Sequence, residues 1–132
     1  MSDHLAPSLD VIDALARAAI GELPAPYRDA AGKVLLRVED FAPEVFLNDL
    51  GIEDPFELTG LYDGIPLTEK SVMDVPVQPD TIWLFRRAIL DEWIDRGDID
   101  LAALVAHVLV HELAHHFGWS DDDIAAIDRW WE

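Results

Sequence analysis

The chain contains no cysteine. Disulfides and thiolate metal sites are therefore excluded, and any metal must be held through nitrogen and oxygen. Basic residues are scarce: nine Lys and Arg stand against 27 Asp and Glu, a formal net charge of −18. A protein that grips phosphates needs a basic stripe, and Arg86–Arg87 is the only adjacent basic pair. Nucleic acid is not an expected ligand, whereas a basic or neutral peptide suits such a field. Long hydrophobic runs are also missing. The longest, LAALVAHVLV from Leu101, covers ten positions including His107, about half of what a membrane span requires. The N-terminal stretch has no basic n-region, and Asp10, Asp13 and Arg17 interrupt its apolar residues. No secretory leader is expected. We expect a soluble, cytoplasmic protein with no membrane partner.

What is present suffices for a folded core. The sequence has 132 residues, of which 51% are hydrophobic, enough for one domain over residues 1–132, with a monomer favoured. Ile12, Leu15, Ala16, Ala19 and Leu23 form a helical stripe behind Ser8, a candidate N-cap, and Pro24 and Pro26 close that helix. Lys33–Asp40, a segment at Pro55–Gly64 and Thr81–Arg87 read as strands. Short helices are expected at APEVFLNDLG and AILDEWIDRG, each stopped by its glycine, Gly51 and Gly97. LTEKSVMDVPVQPD reads as an exposed loop. Asp98 or Asp100 begins the main helix, Leu101 to Phe117, with Gly118 past its end and a Trp-rich helix after Ser120. Helices flanking a small sheet give an α+β class.

Four of the five histidines, His107, His111, His115 and His116, fall in one short neighbourhood, and residues 111–123 read HELAHHFGWSDDD. On a helix, positions i and i+4 are about 6 Å apart along the axis and about 40° apart around it. His111 and His115 thus project side by side and can share one ion at about 2.0–2.1 Å from each nitrogen. Glu112 lies about 100° round from His111, near the ion without ligating it. There it can take a proton from a metal-bound water and deliver it to a leaving amine. This is the H-E-x-x-H arrangement of zinc peptidases.

A catalytic zinc site needs a third protein ligand and an open fourth position. Beyond His115 the sequence continues x-x-Gly118-x-x-Asp121, which places Asp121 at the offset where metzincins carry their third histidine. A carboxylate is chemically acceptable there, although no methionine follows to build a methionine turn. VLVHELAHHFGWSDDDI resembles the signature of the minimal zincin family of small bacterial metallopeptidases. LTGLYDGIPLTEKS and TIWLFRRAI are also similar to that family, so the likeness spans roughly residues 30 to 128. The resemblance implies a zincin-like fold with a small mixed sheet packed against the motif helix. It also implies His111, His115 and Asp121 as ligands of one zinc ion per chain, Glu112 as general base, and a peptide or protein substrate. It supplies no particular substrate.

Plainer readings stand beside these. His111, Glu112 and His115 could form a solvated helix face, and Asp121 could share with Asp122 and Asp123 the role of an acid at a helix N-terminus. His107 lies one turn before His111, but a ligand there would close the open site, so a packed or partly exposed histidine is favoured. His116 points away from the ion and reads as a packing or supporting residue. Leu104, Val105, Val108 and Leu109 read as core; Trp119, Trp130 and Trp131 read as core or pocket wall. Thr81–Arg86 is either an edge strand that pairs with extended substrate or an ordinary buried strand. Two imidazoles and a carboxylate also suit iron. The alternatives in function are a metal-binding interaction module or degenerate peptidase, and a metal-dependent endoribonuclease. The endoribonuclease signature lacks the glutamate, and Glu112, Asp121 and the net charge of −18 argue against it.

Overall fold

The computed structural model describes residues 6–64 and 80–116. Among these residues the order is α1 (Leu9–Gly21), α2 (Ala25–Ala31), β1 (Leu35–Glu39), α3 (Glu44–Leu50), β2 (Gly60–Asp63), β3 (Thr81–Phe85), α4 (Arg86–Arg96) and α5 (Leu101–His116). The expected α+β class is the one found. None of the described helices is long and apolar enough to cross a membrane.

Local chemistry accounts for the helix ends. Ser8 Oγ accepts the Val11 N–H at 3.3 Å and so caps α1. Pro24 and Pro26 do close α1, but they also open α2, which the sequence reading missed. The Pro24 carbonyl accepts from Tyr27 and Arg28 at 3.0 and 2.9 Å. A proline in a first turn lacks only an N–H that would have had no helical partner. Gly51 and Gly97 end α3 and α4 in left-handed conformations with φ of 69° and 76°. The Asp100 carbonyl accepts the Leu104 N–H at 3.0 Å, so α5 starts where expected.

The sheet order is β1-β3-β2, with β3 parallel to β1 and antiparallel to β2. Thr81–Phe85 is therefore the central strand, paired on both sides and buried at every position. The alternative in which it pairs with a peptide as an edge strand is thereby set aside. A strand covered on both faces reads as a continuous apolar run, as TIWLF does. It is also shorter than its sequence signal, because Arg86 already begins α4. The Arg86 guanidinium is drawn to the Asp40 carboxylate (2.9 Å) and the Pro7 carbonyl (2.5 Å). The second expected strand is half turn: Asp54 caps a 3-10 turn at Pro55–Glu57, and only Gly60–Asp63 pairs.

One face of the sheet, with Leu36, Ile82 and Leu84, packs on Ile12 and Ala16 of α1 and on Leu104, Val105, Val108 and Leu109 of α5. These α5 residues are buried, as the helical stripe required. Trp83 and Phe85 point to the other face and meet Phe46, Leu47, Leu58 and Leu61. Burial of both faces anchors β3, and β3 in turn holds β2 alongside α5.

Candidate active site

Helix α5 presents two adjoining stripes at its C-terminal end. The first carries His111 and His115, both half-buried, with ring centres 5.0 Å apart and planes at 77°. Two imidazoles that share a tetrahedral ion at ordinary Zn–N distances have centres about 5 Å apart. The ring spacing is thus compatible with one shared ion, and imidazole donors suit zinc. Asp121 lies outside the described residues, as do Asp122, Asp123, Trp119, Trp130 and Trp131. Among the described residues no cluster of three or more His, Cys, Asp or Glu side chains could hold a metal by itself. His107, one turn earlier, is half-buried.

The second stripe carries Val108, Glu112 and His116 at i, i+4 and i+8, and it faces strand β2. A side chain at Gly60 would place its Cβ 2.7 Å from Val108 Cγ1 and 3.2 Å from Glu112 Cγ. Glycine is what lets the strand lie this close to the helix. Glu112 is half-buried, and the backbone N–H of Tyr62 favours the charged form of its carboxylate. Loss of hydration pushes its pKa from 4.5 up to about 7, with the Tyr62 N–H pulling weakly the other way. The general base expected from the motif is thus a carboxyl that exchanges its proton near neutral pH.

His116 does point away from the other histidines, but it is more than packing. It is 5% exposed. Its Nδ1 lies 3.1 Å from the Tyr62 hydroxyl and 3.1 Å from Asp80 Oδ2. The Tyr62 hydroxyl also donates to Asp80 Oδ2 at 2.9 Å. Tyr62, Asp80 and Gly60 were not singled out from the sequence. The tyrosine and histidine are 54 residues apart, and no local spacing reports such a contact. The only hint was LTGLYDG, which was noted for its likeness and not for its chemistry.

Among the described residues β2 is paired on one side only, by β3. The element arrangement is thus a helix bearing two neighbouring histidines and a carboxyl, with a strand beside it. A family model described as Zincin-like metallopeptidase matches residues 31–131, a span that contains β1 to α5 and the whole HELAHHFGWSDDD segment. Helix α1, which packs against α5, precedes the match. No curated protein matches the chain.

Proposed function

The chain belongs to the zincin-like metallopeptidase family, and on that premise we propose that it is a zinc-dependent peptidase with His111, His115 and Asp121 as metal ligands and Glu112 as general base. The observation that carries this reading is a juxtaposition on α5. Two imidazoles stand with ring centres 5.0 Å apart, and beside them a carboxyl has a pKa of about 7. Zinc, when bound, supplies Lewis-acid polarisation of the scissile carbonyl and a more acidic water.

Glu112 removes a proton from the attacking water as its oxygen bonds to the carbonyl carbon. It returns a proton to the nitrogen as the C–N bond breaks. One carboxyl must both accept and release a proton, and the burial that raises its proton affinity counters the lowering a bound cation would bring. A net charge of −18 favours basic or neutral peptides over acidic ones at the approach.

The test is incubation of the zinc-loaded chain with a panel of unfolded basic, neutral and acidic polypeptides, followed by mass spectrometry of the products. New termini should form with the native chain, stop on chelation, and be absent with Glu112→Gln. Equal cleavage by both proteins would show that the activity belongs to something else.

A further inference from the structure

Tyr62 bears on two residues of the motif helix. Its hydroxyl lies 3.1 Å from His116 Nδ1, and one turn earlier its backbone N–H favours the charged Glu112 carboxylate. Asp80, just before β3, closes the group. Its backbone carbonyl accepts the Leu35 N–H at 2.9 Å, which ties it to β1, while its side chain accepts from Tyr62 at 2.9 Å. The Asp80 and His116 side chains are 8% and 6% exposed. They are too enclosed to meet a substrate, and nothing in the hydrolytic scheme above uses them.

The protons can be placed by inventory. An ionised Asp80 can only accept. Burial first, and the bond to Asp80 second, hold the Tyr62 hydroxyl protonated well beyond physiological pH, so it donates. His116 Nδ1 faces the same Asp80 oxygen and the tyrosine oxygen, and the tautomer with a hydrogen on Nδ1 complements an ionised Asp80. Tyr62 is half-buried and Asp80 and His116 are buried, so depriving any of these polar groups of its partner is costly.

We propose that Tyr62, Asp80 and His116 are positioning residues, a clamp that fixes strand β2 on the last turns of α5 and so sets where the Glu112 carboxylate stands. Asp80 and His116 hold the tyrosine hydroxyl, and the backbone N–H of the same residue acts on the Glu112 carboxylate. Gly60 supports this from the other end of the strand, because it allows contact with Val108 and Glu112. The catalytic consequence rests on the peptidase reading above; the positional one does not.

The test uses Tyr62→Phe and Asp80→Asn, each in metal-free and zinc-loaded protein. In metal-free protein, amide hydrogen exchange at position 62 should be about tenfold faster in both variants, while the amides of α1 keep their native rates. In zinc-loaded protein, kcat should fall about tenfold with KM and zinc affinity within twofold of native. If Asp80→Asn does not fold, Tyr62→Phe alone decides, since it keeps the ring and removes only the hydroxyl. Unchanged exchange at position 62 overturns the clamp. Faster exchange spread evenly over the chain also overturns it, because that marks ordinary stabilisation. Local loss of protection in a chain that cleaves nothing would leave the clamp standing and remove the peptidase reading.

Discussion

Tyr62 on β2 and Glu112 on α5 stand together where strand meets helix, and the Tyr62 backbone N–H favours the charged carboxylate. That influence and the burial of the carboxyl act in opposite directions on the same proton, and burial prevails: the pKa is pushed up from 4.5 to about 7. The balance has consequences for rate, stability and metal binding.

Replacing Glu112 with Gln keeps the shape and the acceptor for Tyr62 but removes the proton acceptor. Hydrolysis should fall by about 10²–10⁴ with the zinc content unchanged. Steady-state kinetics with parallel elemental analysis checks this. Loss of zinc in the variant would make Glu112 a ligand instead.

Stability should vary with pH through the same group. Its folded pKa of about 7 lies above its ordinary 4.5, so the native state favours the protonated form. The associated stability is complete below pH 4.5 and is lost as pH rises through 7, a difference of about 3 kcal/mol. Metal-free Glu112→Gln should therefore match the native chain in urea at pH 4.5 and exceed it by up to about 3 kcal/mol at pH 8. Parallel curves at both pH values would contradict the burial argument. A bound cation should also lower the Glu112 pKa, which carboxyl NMR can follow on zinc addition.

Zinc affinity should fall below about pH 6, because ligand histidines must be neutral. His111→Ala and His115→Ala should each abolish tight binding, as should Asp121→Ala, and Asp121→His should largely restore it. Asp122→Ala and Asp123→Ala should leave affinity near native. Zinc titration of the set is decisive: loss in Asp122→Ala or Asp123→Ala with none in Asp121→Ala would move the third ligand along the chain.

Gly60→Ala would push a methyl to 2.7 Å from Val108 Cγ1, with the Trp83 carbonyl at 3.2 Å behind it. The expected cost is about 1–3 kcal/mol in urea unfolding, with accompanying loss of activity as β2 leaves Glu112. Val108→Ala in the same chain should recover part of it by making room. Native stability in Gly60→Ala would show that the strand can shift freely.

The motif helix was readable because its signals are local. Four histidines at helical spacing, an apolar stripe through Leu104, Val105 and Val108, and Asp100 ahead of them report on residues a few positions apart. The same holds for Ser8 as a cap and for Gly51 and Gly97 as stops. Local signals misled where two structures share one chemistry. Prolines that end α1 also begin α2, and the apolar segment from Pro55 splits into a turn and a strand.

By itself, then, the sequence determined the α+β class, the absence of thiolate chemistry, and the helix that sets two histidines side by side with a glutamate between them. The tertiary structure alone decided that Thr81–Phe85 lies in the middle of the sheet, because pairing order depends on which strands meet across the fold. It alone raised the Glu112 pKa to about 7, because proton affinity depends on burial, which the sequence does not report. And it alone brought Tyr62 and Asp80 to His116, contacts 54 and 36 residues apart in the chain, which no spacing rule on one element can express.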